Sequence, residues 1–453
     1  MSDIDSLRDE MDKVTLDMIK LLKTRTDVSR KIGKIKKDVG KGISDEHREK
    51  DLHQKVLSLC NEIKLDESIA SNFLNFLFNE SIKLQSIGRQ THISIFLKAK
   101  SLEEQGKKII HMEVGQPDFM PPPSTKEALA EVYDKGFVKY GPAKGLPQFR
   151  QALAQYASKK FNATVHQKNI LVSPGARFSV FLAITSLLNP GDEIILIEPA
   201  WPAYKDCALN AGIKVRTIKT TLEKNWEPSV HEIKDKVNPN TKMIVLNYPN
   251  NPTGKILSSD TQDQIISIAK DNDLYVLSDE IYSEYSSDKW RSILEYDYQK
   301  SIVTQSFSKS HAMTGFRIGY AIAQEQIIDK MSNLQALCMT NVSEPIQYVA
   351  MRSLGSEISE NPKLIKTRLD ALSVRAKEMN LDFVTPDGAM YLFVRIDGSD
   401  GLKLANSLLE HGLAVAPGEG FGEYRDFVRI SACLDEKKLM EGMNILNDVL
   451  RSK

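Results

Sequence analysis

The chain has 453 residues, 41% of them hydrophobic, and 60 basic residues balance 60 acidic ones to a formal net charge of +0. That length calls for two or three domains with large cores, and the balance argues against a general nucleic-acid or membrane-surface binder. Cys60, Cys207, Cys338 and Cys433 form no CxxC pair, the charged start MSDIDSLRDEMD has no secretory pattern, and no apolar run reaches a membrane span. These features suggest a cytoplasmic protein with ordinary thiols and no metal site.

From Ile4 the apolar residues recur in steps of three and four: Ile4, Leu7, Met11, Val14, Met18, Leu21, then Val28, Ile32, Ile35 and Val39. This is a heptad stripe on one long helix. Arg25 stands where the stripe asks for a hydrophobe, and a charge in a packed seam is costly unless paired. An internal salt bridge or an anionic ligand in the core would meet that need. At about 100° per residue, Lys36 falls on nearly the same face as Arg25, whereas Arg8 points about 100° away and would reach such a pocket only from a symmetry mate. Some 36 residues of helix span roughly 54 Å, too long for a module of this size. The stripe is therefore expected to be buried in an intertwined dimer.

Gly40-Lys41-Gly42 breaks the helix, Ser44 or Asp45 caps a second one running to about Ile63, and Asp66 starts a third. The third carries Ala70, Phe73, Phe76, Leu77 and Leu84 on its expected core side, with Ser81 and Gln85 one turn apart near it. Asp45, Arg48 and Glu49 share a face of the second.

As a set, residues 6–85 resemble the all-helical chorismate mutase family over its whole length, at Arg8, Arg25, Lys36, Asp45, Arg48, Glu49, Ser81 and Gln85. The resemblance implies rearrangement of chorismate to prephenate. That reaction needs no nucleophile, only a dicarboxylate held in a reactive shape with its developing ether-oxygen charge stabilised. By the same resemblance Arg25 and the partner subunit's Arg8 would clamp the carboxylates, Asp45 and Glu49 would take the ring hydroxyl, and Lys36 and Gln85 would donate to the ether oxygen. Arg48 and Ser81 complete the matching set. A helical DNA-binding head is the rival for this module; the long first helix, the missing winged hairpin and the balanced charge speak against it.

The joint Ile87-Gly88-Arg89-Gln90 is short, which places an all-α module at 1–88 and a second at 89–453. A helix over 95–105 is followed by Met112-Glu-Val-Gly115-Gln-Pro-Asp-Phe119 and by Lys139-Tyr140-Gly-Pro-Ala-Lys-Gly145. Helices then alternate with β-rich runs at 170–172, 194–197, 215–218, 243–246, 275–277, 302–304 and 320–322, the pattern of an α/β layer around a largely parallel sheet. The polar residues of interest fall just after these runs, where open α/β sheets bind ligands.

Ser173-Pro-Gly175-Ala176-Arg177 leads into a helix whose free amides suit a phosphate, although a turn that merely starts a helix reads the same way. Ala200-Trp201-Pro-Ala-Tyr204 offers an aromatic. Asn247-Tyr-Pro-Asn-Asn251-Pro-Thr-Gly254 and Leu277-Ser-Asp279-Glu-Ile-Tyr282 follow. The run from Ser306 to Tyr320 then places one lysine, Lys309, among hydroxyl residues, with Arg317 beyond it. A lysine at the end of a buried strand loses solvation, so its amine deprotonates readily and suits condensation with an aldehyde. The hydroxyls and Arg317 suit a phosphate beside it, and an aldehyde carrying a phosphate is pyridoxal phosphate.

Taken in order, these motifs over about residues 92–450 resemble class I aminotransferases, the aspartate aminotransferase family, of the type I pyridoxal-phosphate fold with large and small subdomains. The resemblance implies that Lys309 bonds the cofactor and moves the α-proton, that Asp279 pairs with the pyridine nitrogen, and that Asn251 and Tyr282 bond the phenolic oxygen. Trp201 would stack on the ring. Gly175, Ala176, Arg177, Ser306 and Arg317 would surround the phosphate, with Tyr140 reaching that of the neighbouring subunit. Arg429, in Asp426-Phe-Val-Arg429-Ile-Ser431, would clamp the substrate α-carboxylate, and Gly115 would touch it through its backbone. Tyr391 lies in a segment expected to line the site. Relatives of this fold also cleave C–S bonds or eliminate, and transamination is the default.

The expected whole is therefore a bifunctional homo-oligomer of aromatic amino-acid biosynthesis that takes small-molecule substrates. Its amino acceptor would be prephenate or an arylpyruvate, its donor glutamate or aspartate, and Arg177 (less so Arg89) would meet a distal carboxylate. The alternative is a general aspartate aminotransferase whose helical module senses an aromatic metabolite.

Overall fold

The heptad stripe folds as one helix, α1 (Asp3–Asp38), followed by α2 (Glu46–Ile63) and α3 (Glu67–Ser86). In this computed structural model the three helices belong to one unit, residues 1–89, and residues 90–453 form a second. The structure describes residues 3–38, 46–86, 92–287 and 289–452; of residues 37, 38, 46, 47, 50, 79, 82–86, 92 and 93 it describes the backbone alone. Val39, the Gly40–Gly42 break, the cap at Ser44 or Asp45, the joint at 87–90 and the Leu84 and Gln85 side chains lie outside it.

Asp66 starts α3 as expected: its carboxylate accepts from the Ser68 amide at 2.7 Å, satisfying one of the free donors of the first turn. Both α1 and α2 pack on α3, around the buried residues Ser29, Cys60, Ala70 and Leu74. The stripe itself faces outward, with Leu7 65% and Leu21 71% exposed. Phe73 and Phe76, expected in the core, are nearly half exposed and stack on each other at 6.3 Å. The buried residues of α3 are Ala70 and Leu74, with Leu77 half-buried three positions on, and that spacing turns both rings toward the edge of the line.

The second unit begins with α4 (His92–Glu104), β1 (Ile110–His111), α5 (Pro123–Glu131) and α6 (Pro147–Lys160). Its main sheet holds β2 (Ile170–Ser173), β3 (Glu193–Glu198), β4 (Lys214–Lys219), β5 (Thr241–Leu246), β6 (Tyr275–Asp279), β7 (Ser301–Ser306) and β8 (Gly319–Ala323), and α7 (Ala176–Leu187) follows β2. The strand order is β2-β8-β7-β6-β5-β3-β4. Only β8 runs against its neighbours. Apolar clusters cover both faces, which is why β3 is buried throughout its length.

A smaller sheet joins β9 (Asp382–Phe383), β10 (Tyr391–Arg395), β12 (Ala416–Pro417) and β13 (Phe427–Ser431) in the order β12-β13-β10-β9, while β1 pairs in parallel with β11 (Leu413–Ala414). Crossovers between parallel strands leave β2, β5, β6 and β7 ending on one side, where Gly175, Asn247, Asp279 and Ser306 sit. Among the described residues no helix is long and apolar enough to cross a membrane.

Phe149 on α6 is fully buried, and its ring centre lies 6.0 Å from that of Phe307, two residues before Lys309. Replacing it by Ala opens a cavity beneath the lysine turn. Phe149→Ala is expected to cost about 3–5 kcal/mol in chemical unfolding. A loss below about 1 kcal/mol would mean the cluster is not close-packed there.

Candidate active site

A cavity of about 280 Å³ lies at the strand ends, lined by Lys309, Asp279, Asn251, Tyr282, Arg317 and Arg429 together with Gly115, Ala176, Arg177, Trp201, Ser306 and Tyr391. Lys309 sits on a one-turn helix after β7, where the Ser306 hydroxyl accepts from the Ser308 amide at 3.0 Å and fixes the turn. The Tyr285 hydroxyl holds the Lys309 carbonyl at 2.9 Å, and the Lys309 amine donates to the Gly115 carbonyl. Burial brings the Lys309 amine down to about 8. Arg429 and Arg317 push the same way, against Cys433 and Asp279.

Asp279, the last residue of β6, accepts from the Tyr204 hydroxyl at 2.7 Å and from the Thr304 hydroxyl at 2.9 Å. Burial raises its carboxyl pKa, and these donors oppose that rise. Two residues that hold Asp279 were thus given no role from the sequence. Thr304 had a readable signal, since it shares a strand face with Ser306; Tyr204 lies 75 residues from its partner and had none.

The phosphate-suited end is built around Gly175. Its φ of +89° favours glycine, and a Cβ there would meet Arg317 Nη2 at 2.7 Å. The amides opening α7 face the same end of the cavity as Arg317, whose Nη1 donates to the Thr314 carbonyl at 2.9 Å. Arg177 lies over one face of the Trp201 ring, 4.5 Å from its centre.

Arg429 is buried, with Nη1 on Asn251 Oδ1 at 2.7 Å and Nη2 on the Glu113 carbonyl. Its guanidinium lies 4.2 Å from the Tyr391 ring centre, and its Nε has no partner. The Tyr391 and Tyr282 hydroxyls share a bond of 2.7 Å. Tyr140 is 88% exposed and takes no part in its own chain's cavity.

In the first unit, Arg25 donates from Nη1 to the Ser81 hydroxyl at 2.6 Å and to the Leu77 carbonyl at 3.0 Å. The structure therefore joins these two sequence-singled residues across α1 and α3. Partial burial lowers the Arg25 pKa. Arg8 is exposed, 3.6 Å from Asp5. Lys36 and Glu49 are half-buried and Arg48 is exposed; Asp45 and the Gln85 side chain are outside the described residues.

The family model for aminotransferase class I and II matches residues 107–446, and that for chorismate mutase type II matches residues 7–86. An aspartate aminotransferase of Thermotoga maritima is 32% identical, over 79% of this chain and 95% of its own length. A crystal structure of an aspartate aminotransferase from Thermotoga maritima has a TM-score of 0.77 and 32% identity, covering 79% of this chain and 96% of that one. An aspartate/prephenate aminotransferase of Thermus thermophilus is 28% identical over 82% of this chain and 98% of its own length. The structure of the Thermus thermophilus aspartate aminotransferase with maleate has a TM-score of 0.77 and 28% identity, covering 81% of this chain and 98% of that one.

The buried lysine has a consequence for stability. Unfolded, it stays protonated up to about 10.4, whereas the fold releases its proton near 8. Between those values the unfolded chain binds the extra proton, so Lys309 weakens the fold fully below about 8 and not at all above about 10.4. Lys309→Met, freed of cofactor, is expected to be about 3 kcal/mol more stable than the parent below that window, the gap closing as pH rises through it. A gap that does not change with pH would contradict this.

Proposed function

Because the chain belongs to the class I and II aminotransferase family and carries a type II chorismate mutase domain, we propose that it performs two steps of aromatic amino-acid biosynthesis. The first unit rearranges chorismate to prephenate. The second transfers an amino group from glutamate or aspartate to prephenate or to an arylpyruvate made from it. The observation that carries the second step is the convergence of Lys309, Asp279, Arg317 and Arg429 on one cavity.

Those residues fit pyridoxal phosphate, on which this family depends. A half-buried amine of depressed pKa, a buried carboxylate, and helix amides beside Arg317 would meet the cofactor's aldehyde, ring nitrogen and phosphate. When bound, the cofactor supplies an electron sink for the bond broken at the substrate's α-carbon. Lys309 would hold it, and its amine would take and return the α-proton. Asp279, braced by Tyr204 and Thr304, keeps a negative charge at the ring nitrogen. Asn251 and Tyr282 donate at the phenolic oxygen, and Trp201 covers the ring. Gly175, Ala176, Ser306 and Arg317 take the phosphate, joined by Tyr140 of the partner subunit. Arg429, stacked against Tyr391 and Phe421, would offer its unpartnered Nε–H in the plane of the guanidinium to the α-carboxylate.

Arg177, at the cavity wall, meets either the phosphate or the distal carboxylate of a dicarboxylic substrate. The second role suits prephenate, and the aspartate/prephenate name and the maleate complex of the Thermus relatives support it. In the first unit Arg25 and the partner subunit's Arg8 clamp chorismate. Asp45 and Glu49 take its hydroxyl, and Lys36 and Gln85 take its ether oxygen, with Arg48 and Ser81 completing the pocket. The outward apolar stripe of α1 and the exposure of Tyr140 support an assembly of at least two copies.

Arg25→Ala is expected to lower mutase turnover by about a hundredfold or more and to leave transamination within about twofold. Intact mutase turnover with altered transaminase control would instead favour a metabolite sensor. Side-by-side kcat/KM values with glutamate as donor are expected to rank prephenate first, then phenylpyruvate, then oxaloacetate. Oxaloacetate in first place would favour a general aspartate aminotransferase, the activity named in several relatives.

A further inference from the structure

His111, on β1, lies outside the cavity lining and faces two carboxylates. Its Nδ1 is 2.8 Å from Glu113 Oε1, and its Nε2 is 3.1 Å from Glu103 Oε1, the latter an ion-pair contact rather than an aligned hydrogen bond. A neutral imidazole has one N–H and satisfies one carboxylate; between two it is favoured as the cation. The Glu113 contact, and then Glu103, raise the His111 pKa against the effect of burial.

Glu113 needs that charge. It is fully buried, and its second carboxylate oxygen, Oε2, has no partner. From its backbone the chain turns directly into the site. The Glu113 carbonyl accepts from Arg429 Nη2, and two residues later the Gly115 carbonyl accepts from the Lys309 amine. Backbone bonds of Met112 to Ala414 and Ser431, each 2.9 Å, hold the near end of this segment, so its far end responds to the Glu113 side chain.

We propose that His111, held between Glu103 and Glu113, is a positioning residue that sets residues 113–115 against Arg429 and Lys309, so that affinity for the substrate α-carboxylate depends on the charge of a group outside the cavity. The inference rests on the assignment of Arg429 to that carboxylate. The groups facing His111 are Glu113 from its own segment and, from α4, Glu103 with Lys100 on that carboxylate's other oxygen at 2.7 Å, and the Phe96 ring at 6.0 Å. The paired strand β11 brings Leu413 and Ala414. The sign follows from the raised pKa. The brace is complete while His111 is protonated and is lost as pH rises through its folded value, which strands a buried carboxylate beside a neutral ring.

The test is KM and kcat for glutamate from about pH 6 to about pH 10, in the holoenzyme and in Glu103→Gln, His111→Gln and Arg429→Lys. Glu103 is one-third exposed, so its variant is expected to fold. In the parent, KM should rise roughly fivefold or more across the His111 titration, with kcat changing far less. In Glu103→Gln the same rise should come at lower pH, and in His111→Gln KM should be high at every pH. A parent KM that is flat with pH, or a midpoint that Glu103→Gln leaves in place, overturns the inference when Arg429→Lys has lost donor affinity. If Arg429→Lys keeps the parent KM, the carboxylate assignment falls, and this inference with it.

Discussion

A lysine amine cannot be buried as a cation without company, and the large unit is arranged around that constraint. Lys309 is half-buried just after β7, and lost solvation brings its amine down to about 8. The polar groups that contact this turn, and the carboxylate of Asp279, are themselves held. The Gly115 carbonyl takes the amine, the Tyr285 hydroxyl takes the carbonyl behind it, and Asp279 is fixed by Tyr204 and Thr304. Apolar clusters cover both faces of the sheet, and its parallel strands β5, β6 and β7 end together at this site.

The helical unit poses the same kind of problem on a smaller scale. Arg25 interrupts an apolar stripe, and the structure answers with neutral oxygens, the Ser81 hydroxyl and the Leu77 carbonyl. Neutral acceptors leave the guanidinium's charge available to an anion. The chemistry links the units: prephenate is an α-keto acid, the class of compound that an aminotransferase accepts. Arg25 in one unit and Arg429 in the other are each held by neutral oxygens.

Local signals were legible and distant ones were not. Each of the seven β-rich runs lies within a strand of the main sheet, since β-branched, aromatic and other apolar residues cluster over a few positions in each. Asp66 heading α3 and the glycine turn at 175 follow from short-range chemistry. The small sheet was missed apart from the strand of Arg429, and the β1–β11 pairing joins residues some three hundred positions apart. Likewise Tyr282 finds Tyr391, and His111 finds Glu103, only through packing. Phe73 and Phe76 were misplaced because a helix with apolar residues on more than one face does not say which face its own unit buries.

The most direct test of the account is to give the intact protein chorismate and isotopically labelled glutamate, with pyridoxal phosphate and no other enzyme, and to follow the label. The account predicts that chorismate is consumed and that labelled nitrogen appears in arogenate. Prephenate that accumulates without taking up nitrogen, while oxaloacetate is aminated readily, would contradict it.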